Sequence, residues 1–555
     1  MTETHHDILS YVFDDKHAND KLIYIDAEDP NRSLSANQVE KLTRRVIAAL
    51  QAENVKSGER VLVHLPNSVS QNPSHDRKHT HTHHQIAVPA IIFGIIGAGA
   101  VYVGSNPLYK STELEHLMSL AKPTLIITSK QLLSTVTTAA TALQLSSRRV
   151  LLFDEHALLE RMFKPAHESA RHDSPAEEDD VHDPHGHRQL HDSMSDGELD
   201  WVRLSNPEAS RATPAVMLST SGTTGPPKLA ILSHASILSN VEAVHQELPY
   251  DSTRLNVLPF FLFYGFICAV IPALKWRITH YMLPRFQVMQ YVEAIEKHHI
   301  TDILTAPVML GSMLRSGLQL QNALRSLRFV SVGGSQLSGK VANVFASCLS
   351  NGARVFQCWG MTETGLITVT KWKDNEPSDS VGRVAKGMEI MLVDDEGQAV
   401  ADGVSGEAWV RGSGMFDGYI SSDNAANPMT ADGWLKTGDL LTKRDGLYYF
   451  NGRRKDLIKV KGWSISPEEL EGVLLTHPGI ADAAVVGFTT VDGKTVPKAF
   501  VVLEPHAQLE AQDVYEWSRA RLAAYKALDG GVSFVETLPR TASGKVQRFK
   551  LLECS

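Results

Sequence analysis

The stretch Leu218-Ser-Thr-Ser-Gly-Thr-Thr-Gly-Pro-Pro-Lys228 is the most informative part of the chain. It follows the apolar run 215–218, which predicts a strand, and it combines five hydroxyl side chains with two glycines and a final lysine. Glycines let backbone amides approach a polyphosphate closely, hydroxyls add donors, and lysine supplies positive charge. A flexible linker accounts for neither the lysine nor the strand. A Walker A loop is excluded by the glycine spacing and by Leu229, so the stretch predicts a different kind of phosphate-binding loop.

The rest of the chain alternates short β-branched runs with helical patterns, which predicts an α/β fold with largely parallel layered sheets. The predicted strands are 61–65, 124–128, 149–153, 255–258, 302–305, 329–332 and 354–357. The predicted helices in the first half are 35–51, 112–120 and 130–143. Residues 388–409 are β-rich with Gly and Asp turns, which predicts a hairpin-rich barrel.

A domain boundary is predicted near Asn451 to Asp456. It separates a large N-terminal domain, residues 1–452, from a small α+β domain, residues 453–555. In the small domain, residues 468–475 and 512–523 are predicted as helices, and 482–486 and 499–503 as strands.

Composition narrows the classes of partner. The chain has 555 residues and a net charge of −9, which argues against nucleic acid as its main partner. Four scattered cysteines favour a reducing compartment. We expect no signal peptide and no C-terminal Ser-Lys-Leu address, and therefore a cytoplasmic location, with the peroxisome left open. The uncharged run 86–103 is interrupted by Pro89 and several glycines, so we predict a buried helix followed by a strand and no transmembrane span.

Several motifs follow the phosphate loop in order along the chain. They are Gly333–Ser335, Gln357–Thr364, Thr437–Asp439 with Arg453, Lys455–Glu471, and Pro539–Arg548. Together with the loop, they resemble the motifs of the adenylate-forming enzymes, a family of acyl-CoA synthetases, 4-coumarate–CoA ligases, luciferases and the adenylation domains of peptide synthetases. The resemblance covers most of the chain. It implies two layered α/β sheets plus a distorted β-barrel in the large domain, and a mobile small domain.

The resemblance also implies a site for ATP and Mg²⁺. In it, Trp359 stacks on adenine, Thr362 reaches the α-phosphate, and Glu363 helps to hold magnesium, which prefers hard oxygen ligands. Asp439 and Arg453 match the residues that the family places on the ribose hydroxyls. The residues implied for ATP or AMP are Ser219, Thr220, Ser221, Gly222, Thr223, Thr224, Gly225, Lys228, Gly333, Gly334, Ser335, Trp359, Asp439, Arg453 and Lys459. The residues implied for the metal are Glu363 and Thr223.

The small domain carries the lysine that the resemblance implies is catalytic, Lys545, which acts with Thr362 and Glu363. Attack of a carboxylate on the α-phosphorus places negative charge on the equatorial oxygens, and an ammonium that bridges the two anions stabilises it. Lys455 stands at the family's hinge position. The residues implied for coenzyme A (CoA) are Lys461, Gly462 and Trp463.

The acyl pocket departs from the family pattern at one position. Leu262 stands where the family usually carries a histidine between the acyl pocket and the thiol tunnel. The residues expected to line the pocket are Leu262, Tyr264, Phe266, Ala306 and Met309. The run from Leu258 to Gly265 is aromatic and aliphatic, whereas amino-acid-activating members of the resembled family usually carry an aspartate in this neighbourhood that binds the ammonium group. The predicted substrate is therefore a hydrophobic carboxylic acid, either aryl-propenoic or fatty, rather than an amino acid.

Two histidine-containing segments stand outside this pattern. Residues 165–200 are rich in Pro, Asp, Glu and His, which predicts a solvated, mobile loop, and a metal site there is not favoured. Residues 69–85 form an insertion relative to the resembled family. We hypothesise a retained intron, with a surface loop or an adventitious metal-binding tract as alternatives.

The resemblance implies an ATP-dependent acyl-CoA synthetase that forms an acyl adenylate from a hydrophobic small-molecule carboxylic acid and transfers the acyl group to CoA. One alternative is a stand-alone adenylation enzyme that loads a carrier protein, which separate assays with each acceptor distinguish. A luciferase-like oxygenase is less favoured. A non-catalytic nucleotide-binding relative would bind ATP without releasing pyrophosphate.

Overall fold

A computed structural model describes most of the chain. The described residues are 5–15, 20–66, 86–163, 187–220, 228–350, 352–374, 376, 379–420, 429–460, 463–490, 494–541 and 544–553. They divide into two compact units. The first unit comprises residues 1–302 and 413–425, and the second comprises 303–412 and 426–555.

Helices occur throughout both units. They are α1 (Ile8–Phe13), α2 (Ala36–Ala52), α3 (Val88–Gly97), α4 (Ser111–Ala121), α5 (Leu133–Ala142), α6 (Glu155–Phe163), α7 (Pro207–Ala212), α8 (His234–Val244), α9 (Phe263–Ala269), α10 (Ile271–Lys275), α11 (Val288–Lys297), α12 (Pro307–Leu314), α13 (Leu320–Ala323), α14 (Gly339–Ser347), α15 (Pro467–Leu474), α16 (Ala511–Arg519) and α17 (Arg548–Glu553).

Strands alternate with these helices. They are β1 (Leu22–Asp26), β2 (Ser33–Ser35), β3 (Arg60–His64), β4 (Val101–Gly104), β5 (Leu125–Thr128), β6 (Val150–Leu152), β7 (Arg188–Gln189), β8 (Pro214–Ser219), β9 (Leu229–Ser233), β10 (Thr253–Asn256), β11 (Thr279–Met282), β12 (Asp302–Thr305), β13 (Phe329–Val332), β14 (Arg354–Gln357), β15 (Trp359–Met361), β16 (Gly365–Val369), β17 (Arg383–Val384), β18 (Met388–Val393), β19 (Ser405–Gly412), β20 (Gly418–Ile420), β21 (Leu435–Arg444), β22 (Leu447–Arg453), β23 (Ile458–Val460), β24 (Trp463–Ile465), β25 (Ile480–Thr489), β26 (Thr495–Leu503) and β27 (Val532–Phe534).

The first unit is built on an eight-stranded sheet in the order β20-β9-β8-β4-β3-β5-β6-β7. Strands β8, β4, β3 and β5 are parallel to one another, whereas β9 is antiparallel to both β8 and β20. The apolar side chains of β3, β4 and β5 are buried, as expected for parallel strands covered on both faces. Strands β10, β11 and β1 also run parallel, and β2 is antiparallel to β1. The predicted α/β class is therefore confirmed.

The second unit combines one parallel pair with several antiparallel sheets. Strands β13 and β14 are parallel, whereas β15-β16-β17 and β18-β19-β21-β22 are antiparallel. Toward the C-terminus, β25 and β26 form an antiparallel hairpin and β27 runs parallel to β26. Helix α15 and strands β23 to β26 share a core that includes Leu470, Leu474, Val485 and Val501.

Most predicted elements are confirmed, and three of them, β12, β13 and β14, have the predicted bounds. The strand predicted at 255–258 instead spans Thr253–Asn256, because the chain turns after Asn256, whose side chain accepts a hydrogen bond from the amide of Leu258. The helix predicted at 512–523 ends at Arg519. The run 86–103 forms α3 and β4, and no helix in the described ranges combines the length and apolar content that a membrane crossing requires.

The loop predicted at 165–200 is only partly within the described residues. Residues 164–186 lie outside them, as does the insertion 69–85. Residues 188–189 pair with β6, and Leu190 and Met194 are buried, so the prediction of a solvated loop is wrong for this part. The prediction failed because the two buried apolar side chains stand in a stretch that is otherwise polar, so the composition indicated a solvated loop. The predicted boundary at residue 452 stays a prediction, because the second unit contains residues on both sides of it.

Candidate active site

A hairpin in the second unit places Asp439 beside Arg453. Strands β21 and β22 are antiparallel, and these two residues face each other in the register. The strands are joined at Asp445 and Gly446, which both have positive φ values of 51° and 76°, as a two-residue type I′ turn requires. The Asp-Gly turn sets the register from Arg444 to Leu441, and a one-residue shift between Leu441 and Leu440 then places Asp439 opposite Arg453.

The Asp439 carboxylate is buried and only partly satisfied. Its Oδ2 accepts a hydrogen bond from Nε1 of Trp359 at 2.8 Å, and its Oδ1 lies 3.0 Å from Nε of Arg453. The Arg453 contact is an ion pair without hydrogen-bond geometry, and among the residues that the structure describes Oδ1 accepts no hydrogen bond. A buried carboxylate oxygen of this kind is suited to accept from a ligand hydroxyl.

Two motifs meet at the carboxyl ends of neighbouring strands. Val332, the last residue of β13, is paired with Gln357, the last residue of β14. Gly333–Ser335 and the Cys358–Glu363 segment therefore leave the sheet side by side, since the strands are parallel. The Gly333 amide donates to the carbonyl of Thr305 at 3.1 Å. This edge of a parallel sheet is where α/β proteins commonly bind ligands.

The turn after Trp359 holds Thr362 and Glu363. Strands β15 and β16 flank the turn, and the Met361 amide donates to Oγ1 of Thr364 at 3.2 Å. Glu363 is 7% exposed, and Thr362 is half-buried.

Lys545 lies on a tight turn near these groups. The amide of Lys545 donates to Oγ1 of Thr541 at 3.1 Å, and its carbonyl accepts from the Thr541 amide at 2.8 Å. Burial and the Arg453 guanidinium, together with Lys455, lower the pKa of Lys545 to about 8, although Asp439 and Glu363 act in the opposite direction. The charges of Arg453, Asp439 and Glu363 therefore act on the Lys545 ammonium.

The hinge region is described in part. Lys455 lies in a short 3₁₀ turn, where burial and the Arg453 guanidinium lower its pKa. Lys459 is exposed on β23. Lys461 and Gly462 lie outside the described residues, and Trp463 is placed by its backbone, which pairs with Val460.

In the first unit, the phosphate loop connects β8 to β9. Ser219 is paired with Leu229, and the Thr220 amide donates to the carbonyl of Lys228 at 2.9 Å, so both ends of the loop are joined by backbone contacts. The Lys228 ammonium lies 5.0 Å from the ring centroid of Tyr419. Loop residues 221–227 lie outside the described ranges, and among the residues predicted to bind ATP these include Ser221, Gly222, Thr223, Thr224 and Gly225.

The residues expected in the acyl pocket are divided between the units. Leu262 immediately precedes α9, which carries Tyr264 and Phe266. Phe266 is fully buried, and its ring stacks on Tyr102 with 6.1 Å between centroids. In the second unit, Ala306 precedes α12, and Met309 on that helix is buried beside Thr305. No charged residue is among the five predicted.

The structure adds residues that the motifs did not single out. Tyr419 contacts Lys228, Asp482 pairs with Arg540, and Glu407 pairs with Arg454 at 2.6 Å beside the candidate nucleotide site. Each contact joins segments distant in sequence, so no local pattern indicates it. In the described part of the chain, no group of three His, Cys, Asp or Glu residues is arranged to hold a metal ion.

These layered sheets, with motif residues at their carboxyl edges and a C-terminal lysine turn, define the class of adenylate-forming ligases. The chain belongs to the AMP-binding enzyme family, because the AMP-binding enzyme model matches residues 76–420 and the AMP-binding enzyme C-terminal domain model matches residues 469–545. The fold is similar to that of ATP-bound MatB from Rhodopseudomonas palustris, with a TM-score of 0.81, 22% identity and coverage of 99% of each chain.

Two curated relatives are similar over nearly their whole length. A nicotinic acid–CoA ligase of Penicillium canescens is 36% identical over 98% of this chain and 97% of its own. A phenylacetyl-CoA ligase of Aspergillus niger is 32% identical over 99% of this chain and 96% of its own. The protein is an ATP-dependent acyl-CoA synthetase, an acid–thiol ligase that uses ATP and CoA.

Proposed function

We propose that this synthetase activates a hydrophobic carboxylic acid, aryl-propenoic or fatty, with an aromatic acid as the first candidate. The observation that carries the proposal is the uncharged character of the residues predicted to line the acyl pocket, Leu262, Tyr264, Phe266, Ala306 and Met309. A pocket without a carboxylate offers nothing to pair with a substrate ammonium group, and burying an unpaired charge is costly. The two relatives described above are named for nicotinic acid and phenylacetic acid, which both carry an aromatic ring.

In the first half-reaction, a substrate carboxylate oxygen attacks the α-phosphorus of ATP and pyrophosphate leaves. We assign Asp439, through its unsatisfied Oδ1, to the ribose hydroxyls and Trp359 to adenine. Lys545 in its ammonium form bridges the carboxylate and the α-phosphate, where it stabilises the charge that develops in the transition state. Thr362 donates to the same phosphate.

Magnesium fits the donor chemistry of this site. Glu363 is a buried carboxylate in the turn next to Thr362, and Mg²⁺ is usually bound through one or two carboxylates plus phosphate oxygens. When bound, the ion neutralises phosphate charge. Thr223 and Lys228 of the phosphate loop are the proposed partners of the outer phosphates, with the other loop hydroxyls and glycine amides around them.

In the second half-reaction, the thiolate of CoA attacks the acyl carbon and AMP leaves. We propose that residues beyond Arg453 rotate about Lys455, withdraw Lys545 and bring Lys459 to Trp463 to the adenylate. Leu262 supplies no base for the thiol. A thiol with a pKa of about 8.5 is already a few per cent thiolate near neutrality, so thioester formation does not require one.

A carrier-protein phosphopantetheine is the alternative acceptor, and Leu262 in place of the family histidine is the observation that favours testing it. Supplying acyl adenylate with CoA or with a loaded carrier protein in separate reactions distinguishes the two.

We also propose a cytoplasmic location, with the peroxisome as the alternative that cell fractionation tests.

The test is carboxylate-dependent ATP–pyrophosphate exchange over cinnamic, benzoic, nicotinic, phenylacetic and fatty acids. The 555-residue chain is compared with one that lacks residues 69–85. Exchange with aromatic acids by both chains supports the proposal and makes the insertion a tolerated loop. Exchange only by the shorter chain supports a retained intron. Exchange confined to amino acids or short polar acids contradicts the proposed substrate class.

A further inference from the structure

The turn that carries Lys545 is held by a network outside the predicted motif roles. The backbone of Thr541 bonds both to Gly544 and to Lys545, and the Gln547 amide donates to the carbonyl of Pro539 at 2.8 Å. Arg540 and Val546 form an isolated antiparallel bridge across the turn. The two arms of the turn are therefore joined on each side of the lysine.

Arg540 attaches this turn to the sheet of β25 and β26. One terminal nitrogen of its guanidinium donates to the carbonyl of Gly544 at 2.7 Å. The other donates to both carboxylate oxygens of Asp482 on β25, at 2.7 and 3.0 Å. Both residues are only about one-quarter exposed, with values of 26% and 25%. Hydrogen bonds between ionised groups in partly buried sites are short and directional, so this contact orients the Gly544–Lys545 peptide.

The backbone at Gly544 needs such a constraint. Its φ value is +84°, in the left-handed region, and a Cβ atom there would lie 3.3 Å from Cγ1 of Val308 on α12. The turn therefore passes close to the helix that begins next to Ala306. The ammonium group of Lys545 stands at the end of a flexible four-carbon side chain, so its position depends on the conformation and orientation of the backbone at Lys545.

We propose that Arg540 is a positioning residue for Lys545, acting by joining the carbonyl of Gly544 to Asp482. This rests on the proposed role of Lys545 in adenylation. Because Lys545 is withdrawn in the second half-reaction, the Arg540–Asp482 pair contributes to adenylate formation and not to thioester formation. A small displacement of a reacting group lowers a rate by up to about 100-fold.

A merely structural role for Arg540 predicts a different result. If the substitution only destabilised the small domain, the rates of both half-reactions and the melting temperature would fall together. Loss of positioning lowers pyrophosphate exchange alone. Arg521 supplies a matched control, because it also donates to a carbonyl, that of Trp517, and it is exposed in the same unit.

The experiment compares Arg540→Gln, Arg540→Lys, Asp482→Asn and the double variant Arg540→Gln/Asp482→Asn with Arg521→Gln. We expect Arg540→Gln and Asp482→Asn each to lower the rate of ATP–pyrophosphate exchange about 10- to 100-fold. The rate at which preformed acyl adenylate is converted to thioester should change less than about twofold. The double variant is no worse than the singles, because both remove one interaction. Arg540→Lys restores part of the rate, and Arg521→Gln changes neither reaction. Equal losses in both half-reactions, or additive single effects, would overturn the proposal.

Hydrogen exchange supplies a readout that needs no substrate. We expect the peptide containing Gly544 and Lys545 to exchange faster in Arg540→Gln at an unchanged melting temperature. An unaltered hydrogen-exchange rate of this peptide refutes the positioning role, whichever carboxylic acid the enzyme activates. If instead the turn loosens but Lys545→Ala leaves pyrophosphate exchange intact, the proposed role of Lys545 fails and Arg540 retains only its structural contact.

Discussion

Asp439→Asn tests the proposed ribose contact. The amide keeps the size of the side chain and an oxygen that accepts from Nε1 of Trp359, but it removes the negative charge beside Arg453. A hydrogen bond to a charged group contributes about 1.5–3 kcal/mol and is roughly twice as strong as a neutral one. Weakening two ribose bonds by half costs about 2 kcal/mol, which is about a 30-fold loss in kcat/KM for ATP.

The assay compares ATP with 3′-deoxy-ATP in pyrophosphate exchange. The wild-type enzyme is expected to prefer ATP, and Asp439→Asn is expected to lose most of that preference. Asp402→Asn is the matched control, because Asp402 is an exposed carboxylate that pairs with Lys443 of β21 at 3.3 Å. An unchanged preference between the two nucleotides in Asp439→Asn would refute the ribose assignment, whatever the overall rate.

The charge change has a second consequence for Lys545. Asp439 is one of two carboxylates that raise the pKa of this lysine, so its neutralisation is expected to lower that pKa further. The ammonium form of Lys545 is then lost at a lower pH, so the alkaline limb of the pH profile of kcat/KM for ATP shifts to lower pH. A limb that moves up would contradict the electrostatic reasoning.

The remaining predictions concern Lys545 and Lys228. Lys545→Ala is expected to suppress adenylate formation far more than thioester formation from preformed adenylate, and equal losses measured in the two half-reactions would argue against its assignment. Because burial and Arg453 lower the pKa of Lys545 to about 8, kcat/KM for ATP should fall as pH rises through about 8, which a pH profile checks; a plateau extending to pH 10 would contradict it. Tyr419→Leu removes the ring beside the Lys228 ammonium and is expected to raise KM for ATP about three- to tenfold, whereas Tyr419→Phe keeps the ring and the wild-type KM; identical values for the two variants would exclude the cation–π contribution.

Local patterns predicted much of the fold. The strands β12, β13 and β14 each have apolar residues within a four-residue stretch that lies between helical patterns, so composition predicts that they are strands. The strand predicted at 255–258 was shifted, because apolar Val257 and Leu258 continue the pattern after the chain has left the sheet. The segment 188–194 was misassigned because two buried apolar side chains, Leu190 and Met194, are a weak signal within a charged stretch.

The candidate site was predicted at the level of residue type. The Asp445-Gly446 turn is a local feature that predicts the hairpin, but its register alone would place Asp439 opposite Gly452, and the one-residue shift between Leu441 and Leu440 makes Arg453 the neighbour. The unsatisfied Oδ1 of Asp439 could not be predicted in this way. It depends on which neighbour the other oxygen contacts, and that neighbour, Trp359, comes from a different sheet.

By itself, the sequence determined the α/β class, the order of the motifs and the identities of the candidate nucleotide and lysine residues, because these depend on local periodicity, turn chemistry and residue type. Only the tertiary structure decided which charges meet. The pairing of Arg540 with Asp482 and of Lys228 with Tyr419, and the lowered pKa of Lys545, arise from segments far apart in the chain. Electrostatic interaction and burial depend on distance in space, and distance along the chain does not determine them.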